Sequence, residues 1–135
     1  MALDIHQRER EGITVLDLKG RITAGHEAGE LREKIGALAA AGIRMVVLNM
    51  AGVDYIDSTG LGALVMVATA LRKSGGNVKL LDLTNRNIQL LVMTKLTTVF
   101  ETFNDEQDAI NSYFPDRKLK TFDVLKFVQD LKSEE

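Results

Sequence analysis

The residues most suited to chemistry lie in one short stretch, 54–62, which reads Asp-Tyr-Ile-Asp-Ser-Thr-Gly-Leu-Gly. Two adjacent hydroxyls, Ser58 and Thr59, stand between two carboxylates and two glycines. An apolar run at 43–50 precedes the stretch and a helical pattern follows it, so it joins a buried strand to a helix. Loops at strand ends of α/β folds leave side chains accessible on a rigid support. We therefore predict that this junction is the functional site.

Ser58 combines two roles that a serine before a helix can have. Its hydroxyl can accept a hydrogen bond from a free backbone N–H of the first turn, so Ser58 is the expected N-cap. A phosphoryl group on the same oxygen would lie at the positive end of the helix and add about −1.5 to −2 charges beside Asp54 and Asp57. Such a group could be stable within the domain and still repel a partner. We predict phosphorylation at Ser58, with Thr59 as the less favoured acceptor.

The two glycines of the stretch, Gly60 and Gly62, fall within the first turn of the predicted helix. Each costs roughly 1 kcal/mol there relative to alanine. A bare first turn lets another backbone come close, and we predict that this backbone belongs to a partner chain.

Catalytic, metal and nucleotide sites are poorly supported. A hydrolase elbow requires Gly-x-Ser-x-Gly, and the first glycine is missing before Ser58. His6 and His26 are the only histidines and there is no cysteine, so no ligand spacing for a metal is present. Neither a Walker motif nor Gly-x-Gly-x-x-Gly occurs, although a bare helix N-terminus could hold a phosphate weakly. We predict neither an enzyme nor a cofactor.

Composition sets further bounds. With 135 residues, 45% hydrophobic and 27% charged, the chain suits a globular domain. A net charge of −2 without a basic block disfavours nucleic acid as a partner. The absence of cysteine is compatible with a reducing compartment, and we see neither a signal peptide nor an apolar stretch of ~20 residues. We therefore expect a cytoplasmic protein without a membrane span.

Alternating patterns predict the elements that position the junction. β-Branched and apolar runs predict strands at 13–19, 43–50, 78–83 and around 99–101. The polar segment 4–10 is predicted as an edge strand, because long charged side chains discourage edge-to-edge pairing, and a Glu11-Gly12 turn joins it to 13–19. Apolar stripes at helical spacing predict helices over 28–39, 58–71, 85–93 and 104–114. Such βα alternation implies a mainly parallel sheet with one antiparallel edge. The fold class is α/β, with a four- to five-stranded mixed sheet and helices mainly on one face.

Pro115, the only proline, divides a domain at 1–114 from a C-terminal extension at 115–135. Thr121 is the expected cap of an extra helix in the extension. Its predicted packing face is Val124, Leu125, Val128 and Leu131. We expect this helix to pack on its own domain or on a neighbouring copy in a homodimer, with docking of a separate partner as the alternative.

The segments 46–49 and 53–62, above all Asp57-Ser58-Thr59-Gly60-Leu61-Gly62, resemble the signature of the anti-sigma-factor antagonists, the STAS domain family. The resemblance covers about 4–114. It implies a protein of bacterial partner switching that binds an anti-sigma factor, which is also its serine kinase, while Ser58 is unphosphorylated. Phosphorylation of Ser58 breaks that complex and a phosphatase resets it. The partner-binding residues implied are Thr23, Asp57, Ser58, Thr59, Gly60, Leu61 and Gly62.

One motif departs from the family pattern. The family often has Gly-Glu-Leu-Asp after the second strand, and this chain has Gly20-Arg21-Ile22-Thr23. Thr23 replaces an aspartate that lies close to the phosphorylation site, which affects kinase recognition rather than the fold. Two alternatives remain: a STAS scaffold subunit of a signalling or stress-sensing complex without Ser58 phosphorylation, and a weak nucleotide-binding domain.

Overall fold

The computed structural model describes residues 3–117 and 124–133. Its strands are β1 Asp4–Arg10, β2 Ile13–Ile22, β3 Met45–Ile56, β4 Asn77–Leu81 and β5 Thr102–Phe103. Its helices are α1 His26–Ala40, α2 Ser58–Lys73, α3 Asn85–Met93, α4 Glu106–Asn111 and α5 Val124–Ser133.

The five strands form one mixed sheet in the order β1-β2-β3-β4-β5. β1 pairs antiparallel with β2, and every later neighbour pairs in parallel. The parallel pairings require crossover connections, which α1, α2 and α3 provide. The predicted mixed α/β sheet with one antiparallel edge is confirmed.

The core lies on both faces of the sheet, but unequally. The larger cluster packs Leu16, Leu48 and Leu80 against α1 and α2, with Leu91 of α3 at its margin. The smaller cluster packs the opposite face of the sheet against α4, through Ala109 and Ile110. β3 is therefore covered on both sides, which explains its nearly continuous apolar run. Helices lie mainly on one face, as predicted.

The two central strands extend beyond the predicted ends. β2 continues past Gly20 to Ile22, and β3 continues past residue 50 to Ile56. The extensions pair with each other, since Gly20 lies opposite Val53 and Ile22 opposite Ile56. Propensity underestimates both strands because Gly20 and Gly52 interrupt their patterns, and the ends become strand through this mutual pairing. The junction is therefore shorter and stiffer than a loop from residue 51 onwards would be.

Two smaller expectations near the C-terminal edge were wrong. The last strand is Thr102–Phe103 rather than 99–101, because Phe103 fills the smaller core cluster. α4 ends at Asn111 rather than reaching residue 114. Past this end, the Tyr113 hydroxyl lies 2.7 Å from the carbonyl oxygen of Val46. Burial raises the pKa of this phenol well above its usual value.

The extra C-terminal helix is confirmed, and it contacts α3. Val124 and Val128 of α5 are buried and share a cluster with Ile88. Leu125, which the sequence placed on the packing face, is 55% exposed. Within α5 the contact with α3 therefore involves Val124 and Val128, with the partly buried Phe127 packed against them. The predicted Thr121 cap lies outside the described residues, and the domain boundary at Pro115 stays a prediction.

Candidate functional site

The junction between β3 and α2 is a tight connection of one residue. β3 ends at Ile56, Asp57 caps the helix, and Ser58 is the first helical residue. The Asp57 Oδ1 accepts a hydrogen bond from the Gly60 N–H at 2.7 Å. The prediction that Ser58 is the N-cap was therefore wrong. Aspartate caps a helix as well as serine does, and the pairing of β3 with β2 places Asp57 at the turn.

Asp57 also joins the junction to the loop between β2 and α1. Its second carboxylate oxygen, Oδ2, accepts a hydrogen bond from the Ala24 N–H at 3.0 Å. The Asp57 N–H in turn donates to the Ile22 carbonyl at 3.3 Å. The Gly60 and Ala24 N–H donors, in that order, lower the pKa of the Asp57 carboxyl. The carboxylate thus holds Thr23 and its neighbours beside the start of α2.

Replacing Asp57 with asparagine is expected to lower the free energy of unfolding by about 1 kcal/mol, because the amide cannot accept from both N–H groups. The pKa of Asp57 is lower in the folded than in the unfolded protein. Its stabilisation is thus present above the unfolded value of about 3.9 and lost as pH falls through the folded value. The urea unfolding free energies of Asp57→Asn and the parent chain should therefore begin to converge as pH falls below about 4, and should meet below the folded pKa of Asp57.

Asp54→Asn is the matched control for that experiment. It removes the same charge from an exposed carboxylate that has no hydrogen-bond partner within residues 3–117 and 124–133. An equal effect of the two substitutions, or an Asp57→Asn deficit that persists unchanged in acid, would contradict the role assigned to Asp57.

The two hydroxyls of the junction face solvent. Ser58 and Thr59 are both exposed, and neither hydroxyl has a hydrogen-bond partner in the part of the chain that the structure describes. Because Asp57 supplies the cap, the Ser58 oxygen is not needed to complete the helix. It is chemically free to be modified.

The glycines of the motif have different roles. A Cβ on Gly60 would lie 1.8 Å from the Ile22 carbonyl oxygen, so Gly60 is required by close packing against β2. The approaching backbone therefore belongs to this chain, which corrects the expectation that it belongs to a partner. A Cβ on Gly62 would meet nothing within 4 Å. Only Gly62 leaves the helix surface open.

The predicted partner-binding residues thus divide by exposure. Ser58, Thr59 and Gly62 are exposed, and Thr23 and Asp57 are half-buried. Gly60 and Leu61 are buried and support the site from below. The exposed and half-buried residues can therefore contact a partner directly, while the buried Gly60 and Leu61 set the position of the helix.

A groove of about 330 Å³ opens beside Ser58, between the junction and α3. Sequence reasoning did not assign this feature. The Arg86 guanidinium lies over the Tyr55 ring, 4.7 Å from its centroid, which is within cation–π range. An arginine in the first turn of a predicted helix was the available signal, because the helix dipole disfavours a cation there. The groove is lined by Tyr55, Ile56, Asp57, Ser58, Arg86, Asn87, Gln89, Leu90 and Met93.

Neither a metal-binding cluster nor a membrane-spanning helix is found in residues 3–117 and 124–133. No group of three or more His, Asp or Glu side chains in these ranges could hold a metal ion. Over the same ranges, no helix is both long enough and apolar enough to cross a membrane.

Comparison with known proteins points to the STAS domain family. A family model described as the STAS domain matches residues 4–109. The anti-sigma-B factor antagonist of Bacillus subtilis (strain 168) is 32% identical over 101 residues, covering 75% of this chain and 91% of that protein.

Two solved structures are similar in fold. An anti-sigma factor antagonist from Mycobacterium paratuberculosis has a TM-score of 0.71 at 22% identity, covering 82% of this chain and 92% of that one. The Bacillus cell fate determinant SpoIIAA in its phosphorylated form has a TM-score of 0.63 at 19% identity, covering 82% and 99%. At these identities the likeness concerns the fold.

The fold and the junction define an α/β domain that presents free hydroxyls at the start of a helix held by a mixed sheet. Together with the family match and the Bacillus subtilis relative, they show that this chain belongs to the STAS domain family. The resemblance to anti-sigma-factor antagonists that the motif suggested is thereby confirmed.

Proposed function

We propose that this protein is an anti-sigma-factor antagonist, a regulatory protein that binds an anti-sigma factor while Ser58 is unphosphorylated. The observation that carries the proposal is that one residue of the junction caps the helix while the next residue presents the free hydroxyl. Asp57 caps α2, and the exposed Ser58 hydroxyl beside it has no partner in the described residues. A modification of Ser58 therefore changes the surface without removing the cap that holds the helix. The names of the similar curated proteins support the same function.

The chemistry at Ser58 is a phosphoryl transfer performed by the partner kinase. The Ser58 oxygen forms a bond to the γ-phosphorus of ATP, the bond to the β-phosphate oxygen breaks, ADP leaves, and the hydroxyl proton is released. The product carries about −1.5 to −2 charges at neutral pH. A phosphatase restores the hydroxyl by hydrolysis. The use of ATP implies a cytoplasmic setting.

The added charge can separate the complex by a plain physical route. An unphosphorylated surface of Ser58, Thr59 and Gly62 allows close packing of a partner. A phosphoryl group placed in that contact must be desolvated against a partner surface that fits the uncharged hydroxyl, and it lies beside the Asp57 carboxylate. A hundredfold loss of affinity requires only about 2.7 kcal/mol.

Thr23 belongs to the same surface in this proposal. The loop after β2 is held next to Ser58, because Asp57 binds the Ala24 N–H while the Thr23 carbonyl accepts from Ala28 at 3.2 Å. A neutral threonine there adds no like charge beside the phosphoryl group. We propose that Thr23 contributes to recognition by the kinase.

Incubation with the cognate anti-sigma factor kinase and ATP is expected to add about 80 Da to the chain, with the added mass on Ser58. Intact-mass and peptide mass spectrometry measure the result. Ser58→Ala should abolish the gain, and the control Thr59→Ala should retain it. Labelling that persists in Ser58→Ala would contradict the site, and a complex that forms identically with and without ATP would favour a scaffold role.

A further inference from the structure

The groove beside Ser58 has a distinct electrostatic character. Its lining includes the first residue of α2, Ser58, and two first-turn residues of α3, Arg86 and Asn87. The N-termini of both helices adjoin this space, and each is capped by a side chain, Asp57 on α2 and Thr84 on α3. The Arg86 guanidinium adds a full positive charge to the same lining. The charged groups of the lining are Arg86 and Asp57, and both Asp57 oxygens already accept backbone N–H donors. The groove therefore suits an anion.

Arg86 is placed as a cation without an anionic partner. No carboxylate in residues 3–117 or 124–133 pairs with it, and its guanidinium lies over the Tyr55 ring. The first turn of α3 contains no acidic residue, so Arg86 stands against the dipole of its own helix without compensation. An exposed arginine held in this unfavourable place is suited to pair with an anionic group that is present only part of the time.

We propose that Arg86 binds the phosphoryl group of phosphorylated Ser58 within the same chain. This inference rests on the proposed function, because it requires Ser58 to be phosphorylated. The planar guanidinium can donate two parallel hydrogen bonds to phosphate oxygens. Its cation–π contact with Tyr55 does not use these N–H donors. Ser58 and Arg86 line the same groove of about 330 Å³, so a phosphoryl group on Ser58 adjoins the space that Arg86 lines.

The ion pair would change the surface as well as the charge. Arg86 would turn from the Tyr55 ring toward the phosphate and uncover an aromatic side chain that is already 37% exposed. Arg21 is the other cation to consider, because it lies opposite Tyr55 in the register of β2 with β3. Arg86 is preferred because it lines the groove together with Ser58, and Arg21 does not.

The test uses the full chain with phosphoserine incorporated at position 58 during translation, so no kinase is needed. Phosphorus NMR then follows the second ionisation of the phosphate, which lies near pKa ≈ 6 when unperturbed. Arg86→Gln is expected to raise that pKa by about half a unit, and Arg86→Lys should recover part of the difference. In the unsubstituted chain, the Arg86 Nε–Hε resonance should shift between the serine and phosphoserine forms.

Lys73→Gln is the matched control, because it removes one positive charge from the far end of α2. The distance along the helix is about 22 Å, beyond the Debye length of ≈ 8–10 Å, so the phosphate pKa should not move. An unchanged pKa in Arg86→Gln, or a rise in Arg21→Gln alone, would overturn the inference. Failure of kinase labelling at Ser58 would instead contradict the proposed function, so the two failures are distinguishable.

Discussion

Gly60→Ala is expected to lower the free energy of unfolding by about 3 kcal/mol, near the upper end for overpacked sites. The new methyl group would lie 1.8 Å from the Ile22 carbonyl oxygen, which is backbone within the paired end of β2. Neither group can turn aside as a flexible side chain would, so α2 must move away from the sheet. Urea unfolding followed by circular dichroism measures the change.

Gly62→Ala is the matched control for this prediction. It lies two residues further along the same helix, with nothing within 4 Å of the added methyl group. Alanine should therefore stabilise the protein by up to roughly 1 kcal/mol through helix propensity alone. Equal and small effects of the two substitutions would show that α2 does not pack on β2 as described.

Ser58→Asp is expected to weaken binding of the anti-sigma factor by about tenfold, which corresponds to about 1.4 kcal/mol. One carboxylate carries less charge than a phosphoryl group and has fewer acceptor oxygens, so the loss should be smaller than that caused by phosphorylation. The fold should be retained, because Ser58 is exposed and Asp57 provides the helix cap. Isothermal titration calorimetry measures the affinity.

Ser58→Asn separates charge from size in that experiment. Asparagine has nearly the shape of aspartate without its charge, so its affinity should lie close to that of the parent chain. If asparagine and aspartate weaken binding equally, steric fit rather than charge controls the complex and the electrostatic account of the switch is wrong.

The order of elements could be predicted from sequence because the apolar patterns are strong where burial is complete. Val46, Val47 and Leu48 are fully buried, and their continuous run identified a central strand directly. The ends of β2 and β3 could not be predicted in the same way. Gly20 and Tyr55 become strand because each faces a pairing partner, and that pairing is a tertiary property invisible to local propensity.

The identity of the helix cap depended on the same long-range information. Asp57 and Ser58 are both good N-cap residues, and sequence alone offers no ground to choose between them. The choice follows from the pairing of β3 with β2, which ends at Ile56 and leaves Asp57 at the turn, where its second oxygen accepts from the Ala24 N–H. The purpose of Gly60 was misread for a related reason, since the backbone that requires it, at Ile22, is 38 residues earlier in the chain.

The groove beside Ser58 could not be predicted because its two walls come from separate segments. Tyr55 and Ser58 belong to the motif, but Arg86 and Met93 are contributed by α3. The sequence placed Ser58 correctly at the start of α2 and marked its hydroxyl as the group of interest. Arg86 in the first turn of a helix was a signal of an unusual site, but nothing in the local pattern indicated that it lies in the same groove as Ser58.

The most direct measurement of the central claim compares the affinity of the anti-sigma factor for three forms of the chain. The first has serine at position 58, the second has phosphoserine there, and the third is the second form after a phosphatase has removed its phosphoryl group. The account predicts binding about 100-fold weaker for the phosphorylated chain, a difference of about 2.7 kcal/mol, and full recovery after dephosphorylation. Equal affinity of the phosphorylated and unphosphorylated chains would contradict it.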